Sequence, residues 1–332
     1  MSSSFPSAYE EQLQAAKLFI EANDHFLVVS HLNPDGDAIS STLAMGCLLR
    51  CLGKSYVTAN EGPIPDKFAF LPECGSIVDL SQLSSHPDRF AKAIAVDCAD
   101  RERIGQTQQL FAADCALLNI DHHVTNTRFG EVNVVRSDAA ATVEMIYELA
   151  RYCNVPIDLE LANCVYTGLL TDTGGFRYAN TTPLVMRIAA ELLDLGVQGN
   201  ALAQQTLETM SPAQIGLLQR ALASLSFSAD KRIAWVAVTA EQLTETGAAN
   251  EDTDGLVNYA RNIEGVDVGL LFKQKSEREV KVSLRSSDHA DVSGIAQAFG
   301  GGGHARAAGC SIYASLPEAI EQVVRKVGTA LS

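Results

Sequence analysis

Three times in the first half of this chain an apolar run of strand length stops at an acid or an imidazole: FLVVS before HLNPDGD, AKAIAV before Asp97, and CALLNI before Asp121, His122 and His123. Buried strands of a parallel sheet read as continuous apolar runs, and the loops at their carboxyl ends lie side by side along one edge. Acids and imidazoles at three such ends are therefore expected to collect on a single rim. The first run continues through its polar loop into an apolar helix from Ala38 to Leu52, closed by Gly53, which makes a strand, loop, helix unit. Further short runs, SYVTA (55–59) and SIVDL (76–80), are separated by helical or turn-like stretches. The pattern predicts an α/β fold built on a doubly wound, mostly parallel sheet.

At 332 residues the chain is long enough for two domains. After Asp138 the period becomes helical, through ATVEMIYELARYC, LELANCVYTGLL and TPLVMRIAAELLDLG, and the first domain is expected over residues 1–196, with Gly196 as a stop. A helical connector (197–224) then leads to a smaller α/β domain over 225–332. Its signals are the strand RIAWVAVT, a helix around Asp254 to Asn262, and the runs VDVGLLFKQ and EVKVSLRSS, which read as adjacent strands joined by the charged turn KSERE. The helix DVSGIAQAFG, a glycine run, one more strand and a final helix complete it, with no internal repeat. The active site is expected in the cleft between the domains.

Composition narrows the function. Hydrophobic residues make up 47% of the chain, enough for proper cores. The N-terminus MSSSFPSAYEEQ has neither a basic nor an apolar targeting region, and no apolar run approaches the roughly 18 residues of a membrane span, so a cytoplasmic protein without a membrane partner is expected. Eight cysteines are scattered without a C-x-x-C pair, and Cys47 and Cys51, at helical spacing in an apolar run, are expected to be buried thiols. A net charge of -15 repels polyphosphate at long range, which excludes a protein that tracks long nucleic acid by counterion release. A phosphate-bearing substrate should be small and locally held.

The loop HLNPDGDA places His31, Asp35 and Asp37 at one tip, with Pro34 and Gly36 expected to force the turn. By itself the loop reads equally well as a polar turn with Asp37 as helix N-cap. Asp172, at the end of the apolar helix through LANCVYTGLL, reads by itself as a C-terminal turn closed by Gly174. Convergence of the clusters on one rim changes both readings. Carboxylate and imidazole donors without thiolate suit manganese, magnesium or iron, with Mn2+ the first choice, and support two divalent ions sharing a bridging carboxylate. Two such ions, roughly 3.5 to 4 Å apart, can activate water and neutralise a phosphoryl oxygen, the needs of phosphodiester hydrolysis. In the second domain the GGGGH run offers Gly302 and Gly303 backbone N–H groups and a His304 donor to an anion, the plainer alternative being a mobile linker. Arg285, at the end of KVSLR, is a candidate for bidentate phosphate capture, and Arg103 in DRERIG could reach a phosphate or form a surface ion pair.

HLNPDGDA, VDCADRERIG, NIDHHVTNTRFG, TDTGGFRY and FGGGGHARAAGC, in that order, resemble the DHH phosphoesterase family with its DHH-associated C-terminal domain. Within it the chain looks most like stand-alone bacterial enzymes that degrade oligoribonucleotides of a few residues and dephosphorylate 3'-phosphoadenosine 5'-phosphate. The resemblance implies one metal on His31, Asp35 and Asp97, and another on Asp37, Asp97, His122 and Asp172, with Asp97 as the bridge. It implies that His123 faces the scissile phosphate, that Asp121 orients an imidazole, and that the glycine loop with His304 meets the substrate. The expected function is hydrolysis of short oligoribonucleotides to mononucleotides and of 3'-phosphoadenosine 5'-phosphate to AMP. Turnover of linear or cyclic dinucleotides (pApA, pGpG, cyclic-di-AMP) is the alternative, and a non-catalytic nucleotide-binding protein is the second. Apolar faces left over on the helices after Asp138 allow a homodimer.

Overall fold

A computed structural model describes residues 6–80, 89–253, 255–287 and 290–331. The chain forms two compact units, Met1–Thr209 and Met210–Ser332, so the stretch 197–224 is divided between them.

The first unit runs α1 (Ser7–Ala22), β1 (Phe26–Val29), α2 (Gly36–Cys51), β2 (Tyr56–Asn60), β3 (Val78–Asp79) and β4 (Phe90–Val96). A 3-10 run (Glu102–Leu110) then leads to β5 (Phe111–Asp121), β6 (Val132–Val135), α3 (Thr142–Tyr152), α4 (Leu159–Asp172), α5 (Pro183–Asp194) and α6 (Gly199–Ala203). The six strands lie in the order β3-β2-β1-β4-β5-β6, and every pair is parallel. Strand order reverses between β1 and β4, and at such a reversal the connecting segments part to leave a crevice beyond the carboxyl ends of the strands.

Alternate residues of the strands serve two cores. Phe26, Val28, Ile94, Leu118 and Ile120 pack with apolar residues of α1 to α5. Leu27, Val29, Ala93, Ala95 and Leu117 pack with Ile104 and Leu110 of the 3-10 run, and this second core has no α-helical member among the described residues. The central strands are thus covered on both faces, which accounts for their unbroken apolar sequences. In this unit α1 and β6 were not expected from the sequence. In α2, Cys47 is buried as expected, whereas Cys51, the last helical residue, is exposed. No helix among the described residues is long and apolar enough to cross a membrane.

The second unit comprises α7 (Pro212–Ala223), β7 (Ser226–Phe227), β8 (Ile233–Val238), α8 (Ala240–Thr246), α9 (Leu256–Arg261), β9 (Val268–Ser276) and β10 (Glu279–Ser286). It ends with α10 (Val292–Gln297), β11 (Gly302–His304), β12 (Ala307–Ile312) and α11 (Leu316–Leu331). Its sheet, β11-β12-β10-β9-β8-β7, is antiparallel except for the parallel β8–β9 pair. The β9–β10 hairpin turns at Glu277 and Arg278, inside the charged segment KSERE. The helix expected from Asp254 begins at Leu256, and Asp254 lies outside the described residues. Val280, Val282 and Leu284 of β10 pack with Val323 and Val327 of α11.

The glycine run is not a linker. Gly302–His304 forms an antiparallel edge strand, and a Cβ on Gly303 (φ 140°) would stand 2.5 Å from the Ala307 carbonyl oxygen. Close backbone approach therefore requires glycine there.

Candidate metal centre

β1 delivers Ser30 and His31 to the reversal point, and the following loop turns through Asn33 in the left-handed region (φ 52°). Helix α2 starts at Gly36 with Asp35 as its N-cap, whose Oδ1 accepts from the backbone N–H groups of Asp37 and Ala38, each at 3.1 Å. The expectation of an Asp37 cap is thus corrected by two residues. Capping by Asp35 releases Asp37 to point inward from the first helical turn, where it is buried. Gly36 does not force the turn, as the sequence had suggested, but supplies space: a Cβ there would stand 2.5 Å from the Thr171 side chain of α4.

β4 delivers Asp97, which leaves the strand through a left-handed residue of its own (φ 57°) while its N–H donates to the Ile120 carbonyl at 2.9 Å. A non-glycine residue is held there at a cost of about 1 to 3 kcal/mol, and the bend aims the Asp97 carboxylate at the rim. β5 ends at Asp121 and hands the chain to His122 and His123, while α4 ends at Asp172.

The expected ligands converge. His31 Nε2 lies 3.9 Å from Asp35 Oδ1 and 3.5 Å from Asp97 Oδ2, and His122 Nε2 lies 3.7 Å from Asp97 Oδ1 and 3.4 Å from Asp172 Oδ2. Donor atoms of His31, Asp35 and Asp97 fall within 4.8 Å of one another, as do those of Asp37, His122 and Asp172. Asp97 faces both groups. The imidazoles are oriented for ligation: Nδ1 of His31 sits 2.8 Å from the Leu32 carbonyl and Nδ1 of His122 sits 3.3 Å from the Ala139 carbonyl. A carbonyl can only accept, so Nδ1 carries a proton, and Nε2, which faces the carboxylates, is the nitrogen that would ligate a metal once its own proton is lost.

His123 differs. Its Nδ1 faces Asp97 Oδ1 at 3.6 Å but is committed to Asp121 Oδ1 at 2.8 Å, so Asp121 orients this imidazole and Nε2 is its unengaged nitrogen. Asp121, fully buried, is held by Asn126 Nδ2 at 2.7 Å. Burial opposes protonation of His123, but the Asp121 hydrogen bond and the charges of Asp97 and Asp121 outweigh it and raise the pKa to about 9.

The carboxylates divide by environment. Burial works against ionisation of Asp97, yet the His31 hydrogen bond and the charges of His122, His31 and His123 hold its pKa well below the usual range. Asp37 is raised by burial and then by the charges of Asp97 and Asp35, and Asp172 by burial and then by Asp37, Asp35 and Asp97. Carboxylates crowded at oxygen and nitrogen donors gain most from divalent cations between them, so the donor set fits metal ions on an observation of charge as well as distance.

Sequence reasoning missed Thr142 and Ser41, which bond to the carboxylates of Asp97 and Asp37, Asn180, which bonds to the Asp172 carbonyl, and Asn126, which holds Asp121. The signal available for Asn126's network was Asn119, a fully buried amide inside an apolar strand, which accepts from Asn126 Nδ2 at 2.8 Å. Arg103 is half-buried in the 3-10 run, with its carbonyl accepting from Leu32 N–H at 2.8 Å, and its charge lowers the His123 pKa, opposing the carboxylates. The surface ion pair considered for Arg103 is not found among the described residues. In the second unit Arg285 is half-buried on β10, donating Nη1 to the Leu284 carbonyl at 3.0 Å, and the His304 side chain lies outside what is described.

Together the fold and rim define an α/β protein built to hold divalent cations at the carboxyl edge of a parallel sheet. Residues 25–169 match the N-terminal domain of the DHH family, and residues 233–332 match the DHHA1 domain. The chain belongs to the DHH family. It is 37% identical over 330 residues to the bifunctional oligoribonuclease and PAP phosphatase NrnA of Thermus thermophilus, covering 98% of this chain and 96% of that one. It is 27% identical to the protein of the same name from Bacillus subtilis, over 89% and 91% of the two chains. An exopolyphosphatase-related protein from Bacteroides fragilis superposes with a TM-score of 0.86 at 25% identity, covering 100% of this chain and 97% of that one.

Proposed function

We propose that this chain is a cytoplasmic phosphoesterase that hydrolyses short oligoribonucleotides to mononucleotides and 3'-phosphoadenosine 5'-phosphate to AMP. The observation that carries the reading is the convergence of His31, Asp35, Asp37, Asp97, His122 and Asp172 at the strand-order reversal. In it, His31, Asp35 and Asp97 hold one divalent ion and Asp37, Asp97, His122 and Asp172 hold another, with Mn2+ preferred over Mg2+ or Fe2+. When bound, such ions supply activated water and offset charge on the phosphoryl oxygens.

The chain's own residues do the rest. Asp97 serves both cation sites, and His31 and His122 present Nε2 because their Nδ1 atoms are engaged. His123, held by Asp121, keeps a proton at neutral pH and donates from Nε2 to a phosphoryl oxygen or to the departing sugar oxygen. Arg103 adds positive charge on the same side. Arg285, Gly302, Gly303 and His304 of the second unit bind substrate phosphate, and Arg285 offers a guanidinium from a sheet position beside Ser283 and Lys281 on the same strand face. A second copy of the chain is the proposed partner, through exposed Met186 and Leu193 of α5.

The test is product analysis with Mn2+ on a 5'-labelled RNA dinucleotide, a pentamer, a 24-mer, 3'-phosphoadenosine 5'-phosphate and cyclic-di-AMP. Turnover of the two short RNAs and release of AMP support the proposal. Preference for the 24-mer or for cyclic-di-AMP overturns the substrate assignment.

A further inference from the structure

One short buried segment, contributing no candidate ligand itself, bonds directly to three of the six and is linked through Asn180 to the backbone of a fourth. The Ala139 carbonyl meets His122 Nδ1 at 3.3 Å. The Ala140 and Asp172 carbonyls both accept from Asn180 Nδ2, each at 3.1 Å, which ties the segment to the end of α4. Thr142 Oγ1 donates to Asp97 Oδ1 at 2.9 Å. The backbone N–H groups of Thr142 and Val143 donate to Asp37 Oδ2 and Oδ1 at 2.6 and 3.2 Å.

The local chemistry explains why these bonds run between elements. α3 has an alanine, Ala141, at its N-cap and no side-chain cap of its own. Alanine is a poor cap, and the first N–H groups of a helix need an acceptor. Asp37, projecting from α2, supplies it. Ala140, Ala141, Thr142 and Val143 are fully buried, so no solvent competes for these donors. Ser41 Oγ, one turn along α2, adds a donor to Asp37 Oδ1 at 3.2 Å. The Thr142 hydroxyl then fixes the rotation of the Asp97 carboxylate, whose other oxygen faces His31 at 3.5 Å.

We propose that Thr142 is a positioning residue that holds the carboxylate of Asp97 between the two cation sites, while the start of α3 holds Asp37 beside it. The inference rests on the metal-centre reading above. Removing an outer support of a metal ligand costs about 10- to 100-fold in metal affinity.

The experiment is calorimetric titration of the full chain with MnCl2, comparing wild type, Thr142→Val, Thr142→Ser and Asp97→Ala. Thr142→Val keeps the volume and the backbone N–H groups and removes only the hydroxyl. Its Mn2+ affinity is expected to fall about 10- to 100-fold, with Thr142→Ser restoring it to within about threefold. Unchanged affinity in Thr142→Val, or an equal loss in Thr142→Ser, overturns the inference. If wild type and Asp97→Ala are alike in failing to bind Mn2+, the metal reading itself falls, and this inference with it. Should Thr142→Val not fold, Thr142→Ala carries the same expectation, since it too keeps the backbone donors.

Discussion

A carboxylate only 2% exposed can stay ionised if cations or donors surround it, and Asp97 faces His31, His122, His123 and the Thr142 hydroxyl. Replacing it with asparagine keeps the shape and the tolerance for left-handed backbone but removes the charge both cation sites share. Asp97→Asn is expected to retain the fold by circular dichroism and to lose more Mn2+ affinity than the roughly 10- to 100-fold of an outer-support variant. The raised groups have a sign of their own. Asp37 and Asp172 lie above the ordinary value of 3.8, so in the metal-free fold their neutral forms are favoured. The stability they contribute is complete below that value and is lost as pH rises through their folded pKa values. Metal binding needs them ionised, so the gain in Tm on adding Mn2+ is expected to grow as pH rises and to grow less in Asp172→Asn. At this scale the candidate ligands were readable in the sequence as a set, three acid or imidazole clusters at the ends of apolar runs, although Asp37 and Asp172 each read singly as a cap or turn residue. Thr142 was not, since its signal is something missing, a helix start without a cap, whose partner is more than a hundred residues away in Asp37.

Elements bring these residues together through close packing of α2 against α4. A Cβ on Gly168 of α4 would stand 2.6 Å from Val143 Cγ2 and 2.9 Å from Asp37 Oδ1. Gly168→Ala is therefore expected to lower stability by about 1 to 3 kcal/mol, measured by chemical denaturation, and to weaken Mn2+ binding as Asp37 is displaced. The four central strand runs and the helices after Asp138 were readable because their apolar periods are long. β6 was not: it pairs in parallel with β5 after a loop of only ten residues, 122–131, where such a crossover ordinarily carries a helix. A four-residue run with no helix before it reads as loop. α1 did carry a helical stripe, Tyr9, Leu13, Ala16 and Ile20, all buried. Its place depends on distant partners, with Gln12 Oε1 accepting from Val135 N–H and Tyr9 donating to Glu148, both at 2.8 Å.

For the whole molecule, two units with separate cores imply separate melting transitions, and all six candidate ligands belong to the first. Calorimetry is expected to show two transitions, with Mn2+ raising only one of them, because a ligand stabilises the unit that binds it. The change of period near Asp138 falls inside the first unit and the strand run RIAWVAVT inside the second. The chain divides between Thr209 and Met210, within the helical stretch 197–224, and that point was not readable because a run of helices carries no mark of which core it joins. Charge acts at this scale too: with a net charge of -15 the chain repels a long polyanion more than a short one. Raising salt is expected to narrow the rate difference between a 24-mer and a dinucleotide. The most direct measurement is anomalous diffraction at the manganese edge from crystals grown with Mn2+. Two peaks should appear, one among His31, Asp35 and Asp97 and one among Asp37, His122 and Asp172, with Asp97 touching both. A rim without manganese, or one ion held away from Asp97, would contradict the two-ion centre.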